Sequence, residues 1–196
     1  RLDILIEMAR QMLKKEELYT SSSVQALKDA LAHAEEVNAS QASEEEITEA
    51  YNRLAEAMTG LVRKADKSEL ENALKKANEI LTNENLYVAE TLANLKETAQ
   101  EAKKVLAEEE SSQETVGEIL KKLIDEILEV RLMGDVDVSG KVDTADAAVL
   151  LRGSVELETL TKGQELIADV NQDGSCSLDD AAKILQYVSE KIESFR

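Results

Sequence analysis

A loop near the C-terminal end occurs twice, and its composition leaves few folds open. The pattern Asp-x-Asp-x-Ser-Gly at 135–140 returns as Asp-x-Asn-x-Asp-Gly at 169–174, an offset of 34 residues. Short oxygen side chains stand at loop positions 1, 3 and 5: Asp135, Asp137 and Ser139, then Asp169, Asn171 and Asp173. Position 6 is glycine in both copies (Gly140, Gly174), and position 12 is aspartate in both (Asp146, Asp180). A hard cation such as calcium takes about six to eight oxygens, and a loop of this length supplies them from positions 1, 3, 5, 9 and 12 and from the carbonyl at 7. Lys141 and Ser175 stand at position 7, where only the backbone is needed, and Asp143 and Ser177 at position 9. The glycines make the sharp turn. Val142 and Cys176, at position 8, are the apolar points where two such loops lie side by side. One acidic turn of this kind is a common surface feature. Two in fixed register, each followed by a helix-like run, read as sites for two calcium ions.

The helices that leave the loops are expected over about 144–155 and 178–191. If the loops pair, these helices lie antiparallel and share an outer face. One half of that face is Thr144, Ala145, Ala148, Leu151, Arg152 and Val155. The other is Leu178, Asp179, Ala182, Leu185, Gln186 and Ser189. Ala147, Leu150, Ala181 and Ile184 already suit the inward face, so Leu151 and Leu185 form a second apolar stripe, which suggests a partner surface. Both loops end in Asp rather than Glu, and only the short run 163–168 precedes the second, too little for a full incoming helix. With the signatures Gly134-Asp135-Val136-Asp137 and 168–174, residues 134–196 resemble a dockerin, the duplicated calcium loop-helix module of bacterial multi-enzyme complexes. The resemblance implies that the outer face binds a cohesin module of another secreted protein. Many dockerins carry basic residues where Leu151 and Leu185 stand, so a more apolar cohesin site is implied. Thr144-Ala145 and Leu178-Asp179 differ, which argues against docking in two equivalent orientations.

The rest of the chain carries a longer repeat. Leu2, Leu5, Ile6, Ala9, Met12 and Leu13 recur at the three-four spacing of one helix face. Ser21–Ser23 offer N-caps to a second run through Val24, Leu27, Leu31, Ala34 and Val37. Ser43 and Glu46 have capping-box spacing and open a third run through Ile47, Ala50, Leu54, Ala57, Met58 and Leu61. Leu70, Leu74, Ala77, Ile80 and Leu81 stand 68 residues after Leu2, Ile6, Ala9, Met12 and Leu13. Leu86-Tyr87 likewise matches Leu18-Tyr19, and one added residue puts Val116, Leu123 and Ile127 69 after Ile47, Leu54 and Met58. This repeat implies two small three-helix bundles. They resemble FIVAR modules through the Leu-Tyr-Thr turn at 18–20, the run 22–34 and the closing helix 54–61. Such modules occur in bacterial cell-surface proteins and secreted carbohydrate-active enzymes. The last helix is expected to run from about 114 up to Met133 and straight into Gly134. Neither this joint nor 64–68 has a flexible linker composition, so a rod of modules with set orientations is expected.

Composition agrees with an all-α chain: proline is absent and aromatics make up only 3%. The net charge of −18 disfavours nucleic acid and anionic membrane as partners, and no apolar run is long enough to span a bilayer. One cysteine excludes an internal disulfide framework. No catalytic constellation appears. The one histidine, His33, reads as a boundary residue of the second helix, Cys176 as a packing residue. The glutamate runs 44–46 and 108–110 read as helix-end charges rather than a glycosidase pair. The helical pattern is already under way at Arg1 and no initiator Met precedes it, so the chain reads as the C-terminal part of a longer protein. The expected architecture is two tandem three-helix bundles, 1–64 and 65–133, followed by a dockerin-type paired calcium loop-helix module, 134–196. The function this implies is non-catalytic: calcium-dependent docking of a secreted enzyme, a glycoside hydrolase or toxin, onto cohesin. Two alternatives stand beside it: a calcium sensor or buffer on a helical spacer, and bundles that bind a host protein or glycan.

Overall fold

The computed structural model describes residues 1–195. It is all-α among the described residues, with nine helices and no strands. Helices α1 (Leu2–Leu13), α2 (Ser21–Ala39) and α3 (Glu44–Thr59) form the first copy of the repeat. Helices α4 (Ser68–Thr82), α5 (Ala89–Ala107) and α6 (Gln113–Glu129) form the second. Helices α7 (Thr144–Ser154), α8 (Lys162–Ala168) and α9 (Leu178–Val188) accompany the two acidic loops. The chain divides into two compact units, 1–68 with 104–118, and 69–103 with 119–196.

In the first copy the expected periodicity becomes a core. Leu2, Ile6 and Ala9 of α1 meet Leu27, Ala30, Leu31 and Ala34 of α2 and Ala50, Leu54 and Met58 of α3. Burial of these leucines and the methionine, at about 1.5–3 kcal/mol each, is what holds three short helices together. Ile47 departs from the reading: it is 40% exposed, one turn in from the start of α3 and outside the packed stripe. The Ser43–Glu46 capping box is formed, with the Ser43 hydroxyl accepting from the Glu46 N–H at 3.2 Å and the Glu46 carboxylate accepting from the Ser43 N–H at 2.7 Å.

The serines at 21–23 do not act as expected. Thr20 is the N-cap of α2 and makes no side-chain cap, and the serines form the first helical turn. Ser23 bonds to Thr20 and accepts from the Val62 N–H, while the partners of Ser21 and Ser22 come from the α5–α6 corner. Glu109 accepts from the Ser21 hydroxyl at 2.9 Å and pairs with Lys64 at 2.7 Å. Glu110 accepts from the Ser22 N–H at 3.1 Å and from the Ser22 hydroxyl at 2.7 Å. An acidic pair thus satisfies the open, positive end of α2 from a distant part of the chain, as the macrodipole favours.

The second copy buries Leu70, Leu74 and Ala77 on α4, Leu92, Leu95, Ala99, Ala102 and Val105 on α5, and Val116 and Leu123 on α6; Val116 is buried where its counterpart Ile47 is exposed. Each copy crosses its α1–α2 or α4–α5 turn with a strap. Tyr19 pairs with Arg63 in the first and Tyr87 with Leu132 in the second, both antiparallel. This strap corrects the expected end of α6, which stops at Glu129. The backbone of Arg131–Met133 instead bonds to the turn, with the Val88 N–H donating to the Arg131 carbonyl and the Met133 N–H to the Leu86 carbonyl, both at 2.9 Å. Extended pairing here satisfies backbone groups that a longer helix would have left to solvent.

The C-terminal module has its own core of Met133, Val136, Ala147, Val149, Leu150, Ala168, Val170, Ala181, Ile184 and Phe195, with α7 packed against α9. Leu150 and Ile184 are fully buried, as the inward-face reading requires. Val142 and Cys176 pack at the edge of this core. Helices α7 and α9 end at Ser154 and Val188, short of the expected 155 and 191. Glu156 and Glu190 then take left-handed backbone conformations, with φ of 58° for both. The Leu157 N–H closes on the Arg152 carbonyl at 3.0 Å and the Lys191 N–H on the Gln186 carbonyl at 2.9 Å, which ends both helices in the same way.

Candidate metal centre

Each loop is folded around its first and twelfth side chains. In loop one the Asp135 carboxylate accepts from the Ser139 N–H at 2.8 Å and the Gly140 N–H at 2.8 Å. In loop two Asp169 accepts from the Asp173 N–H at 3.1 Å and the Gly174 N–H at 2.9 Å. Asp146 receives the N–H groups of Asp137 (3.0 Å) and Asp143 (2.8 Å), and Asp180 those of Asn171 (3.2 Å) and Ser177 (2.9 Å). The backbone keeps the same repeat: Val138 and Gln172 at position 4 have φ of 58° and 61°, and Gly140 and Gly174 at position 6 have φ of 89° and 86°. A side chain at position 6 would strain the turn even though space is open there.

The position 9 residues have a second duty. Asp143 accepts from the Ala145 N–H at 2.7 Å and Ser177 from the Asp179 N–H at 3.2 Å, so they are the N-caps of α7 and α9. With Asp146 and Asp180 they complete capping boxes. The loop-to-helix passage is therefore built from the same residues that stand at ligand positions 9 and 12.

In loop one, one carboxylate oxygen each of Asp135, Asp137 and Asp146 lies within 4.8 Å of the others. Asp135 and Asp146 are buried and Asp137 is exposed. No Lys or Arg among the described residues pairs with any of the three. Burial pushes the Asp146 carboxyl up from its ordinary range, and the charges of Asp137 and Asp135 add to that push against the hydrogen bonds from Asp143 and Asp137. Asp137 is held lower, chiefly by the hydroxyl of Ser139. Three convergent carboxylates without a protein cation are a poor arrangement alone and a good one around a divalent ion. Ser139 also donates to the Lys141 carbonyl at 3.4 Å, which brings the position 7 oxygen beside position 5. All-oxygen donors of this kind fit calcium.

Loop two has fewer charges. Asn171 stands where loop one has Asp137, and its amide donates to Asp173 at 2.8 Å. Asp173 also accepts from the N–H and hydroxyl of Ser175, at 2.9 and 2.7 Å, and these donors hold its carboxyl below the ordinary range. Asp169 is half-buried and Asp180 fully buried.

The outer-face residues read from the sequence are exposed on α7 and α9 or at their C-caps, with Ala148 alone half-buried. Leu151 is 39% and Leu185 42% exposed, each one residue from a fully buried core position, and Leu178 is 61% exposed. Arg152 is held by its own loop, donating to Glu158 at 2.9 Å. Past α7, Val155 (60%) and Leu157 (78%) extend the apolar exposure. Leu157 has no place in a helical pattern, and only its isolation in a Glu- and Thr-rich loop marks it. Of the residues read as non-catalytic, His33 is half-buried on α2. The Cys176 sulfur contacts the Glu165 carbonyl at 3.1 Å.

Tandem three-helix modules that lead into a paired calcium loop-helix unit define a non-catalytic, modular class of protein. The family comparison names both parts: the FIVAR domain model matches residues 2–62 and 66–128, and the dockerin type I domain model matches 133–189. The chain belongs to the FIVAR family and carries a C-terminal dockerin. Dockerin domains bind calcium and cohesin modules. No match was found among curated proteins or among solved structures. No helix among the described residues is long and apolar enough to cross a membrane.

Proposed function

We propose that the dockerin holds two calcium ions and attaches a secreted carbohydrate-active enzyme, a glycoside hydrolase or toxin, to a cohesin module of another secreted protein. The first ion is held by Asp135, Asp137, Ser139, the Lys141 carbonyl, Asp143 and Asp146. The second is held by Asp169, Asn171, Asp173, the Ser175 carbonyl, Ser177 and Asp180. The FIVAR modules act as spacers. One observation carries the docking reading: Leu151, Val155, Leu178 and Leu185 lie exposed beside a complete core stripe. Surface leucines spaced along two packed helices are what a flat apolar partner buries, and a central apolar anchor can dominate such an interface.

The two halves of the face differ in chemistry, Thr144-Ala145 and Arg152 against Leu178-Asp179 and Gln186, so one docking orientation dominates. Burial of one leucine is worth about 1.5–3 kcal/mol. Titration calorimetry of the full chain against a cohesin tests the reading with Leu151→Asp and Leu185→Asp. One variant abolishes binding and the other is nearly neutral, while helicity in calcium stays as in the parent. Equal mild losses, with binding lost only in the double variant, would mean docking in two orientations. Full binding by the double variant would remove the face from the interface altogether.

A further inference from the structure

The place where the second FIVAR module meets the dockerin is also a wall of calcium loop two. The strap runs from the module into the dockerin within two residues. The Met133 N–H bonds back to the module at Leu86, and the Gly134 N–H bonds forward to the Ile167 carbonyl of α8 at 3.0 Å. Asp135, the next residue, is position 1 of loop one. Met133 is itself buried in the dockerin core. Beside this strap lies a cavity of about 250 Å³. Val88, Ala89 and Glu90, at the start of α5, line it from the module, and Leu166, Asp169, Gln172 and Gly174 line it from the dockerin. Asp169 is position 1 of loop two, and Gly174 is its turn glycine.

The first copy makes sense of this placement. Its matching turn, at the start of α2, is covered by Glu109 and Glu110, which bond to Ser21 and Ser22. The second copy has Ala89 and Glu90 at those two positions. Neither supplies a hydroxyl, and Glu90 would repel an acidic corner. The same end of each module thus faces a later part of the chain: it is hydrogen-bonded to the α5–α6 corner in the first copy and looks across the cavity onto loop two in the second.

We propose that calcium in loop two fixes the joint between the second FIVAR module and the dockerin, as well as folding the loop. The proposal rests on the reading of loop two as a calcium loop. Asp169 gathers the Asp173 and Gly174 N–H groups, so an ion held by Asp169 would fix both residues, and Asp169 and Gly174 together form one wall of the shared cavity. Coupling of this kind is reciprocal, so a change on the module side must alter calcium binding at loop two.

The test uses the full chain with calcium as the probe. Glu90→Lys places a positive charge at the cavity, on a helix that holds no calcium ligand. Calorimetric titration shows the calcium step that Asp173→Ala removes weakened about two- to fivefold, with the other step unchanged. A second variant, Asp173→Ala, disables loop two. Hydrogen exchange by mass spectrometry then shows the Val88, Met133 and Gly134 amides exchanging about tenfold faster or more, while Thr20 and Lys64 of the first strap keep their protection. Parent protein that binds two ions, with both calcium steps unmoved by Glu90→Lys, overturns the joint alone. Parent protein that binds fewer than two overturns the calcium reading of loop two and the joint with it. Unchanged exchange at Val88 and Met133 in Asp173→Ala also overturns the joint.

Discussion

Phe195 closes the dockerin on itself, and its removal should be felt throughout that module. The ring is 9% exposed, lies 4.8 Å centroid to centroid from Tyr187 on α9, and rests on Gly134 at the module's start. Burial of the ring is worth about 1.5–3 kcal/mol, and the ring pair adds about 0.5–1.5 kcal/mol. Phe195→Ala should therefore cost about 2–4 kcal/mol. For a unit of this size that lowers the calcium-loaded melting transition by about 8–32 °C. Gly134 offers a second test of the same contact. A Cβ there would lie 2.9 Å from the Phe195 ring, and its φ of 87° strains any other residue. Gly134→Ala should be costly in the parent and less so in Phe195→Ala, because the clash disappears and only the backbone strain remains. Calorimetry gives the size of the effect, and hydrogen exchange locates it in α7 and α9 rather than α2. A melting shift below about 2 °C, or exchange that speeds equally in α2, would refute the reasoning.

Chelation of calcium should lower helicity by the share of α7, α8 and α9, leaving exchange in α1–α3 unchanged; circular dichroism with exchange checks it, and equal helicity with and without the ion counts against a folding role. Glu109→Gln with Glu110→Gln should speed exchange of the Ser22 amide. In the parent the two carboxyls are held below their ordinary range, Glu109 chiefly by Lys64 and Glu110 chiefly by Ser22. Their contribution is thus present above the unfolded carboxylate range and lost as pH falls through the lower folded values, so acid should reproduce the double variant. Cys176, pushed up to about 11 chiefly by burial, should alkylate slowly at pH 8 and quickly once the dockerin is unfolded by chelator.

What was legible in the sequence is what local chemistry dictates. Each loop folds its backbone N–H groups onto short carboxylates at fixed positions and needs a residue free to take positive φ between them, so the loops appear as a pattern. Helix faces appear because Leu54 or Ile184 must recur with the turn of the helix that buries it. What escaped depends on partners far along the chain. The run Val130–Met133 continues the apolar spacing of α6, yet its backbone pairs with Leu86 and Val88 instead. Phe195 is a single aromatic with no period to announce it, and its contact at Gly134 is 61 residues away. Ser21–Ser23 look like caps, and only the fold reveals that the oxygen capping a backbone N–H there belongs to Glu110, with Glu109 on the Ser21 hydroxyl. Ile47 had the spacing of a core residue but lies one turn in from the start of α3, where no facing helix covers it.

The dockerin repeats its backbone more faithfully than its surroundings. Left-handed residues recur at the 34-residue offset three times, as Val138 and Gln172, Gly140 and Gly174, Glu156 and Glu190. Gly134 is the exception: the offset position is Ala168, inside α8, and it has no left-handed counterpart. That exception marks where the symmetry is broken. Loop one begins on a strap tied to the second FIVAR module, whereas loop two begins at the end of α8 and faces the cavity at Val88–Glu90. The halves are thus inequivalent in their attachments even where their loops coincide. If a cohesin docks on the α7–α9 face as proposed, it would meet Thr144-Ala145 at one end and Leu178-Asp179 at the other, with the FIVAR module attached beside loop two. Side-chain difference and attachment both work against exchange of the two halves. On the proposed docking face, a single orientation is therefore expected from the way the module is joined to the chain as well as from the residues on its face.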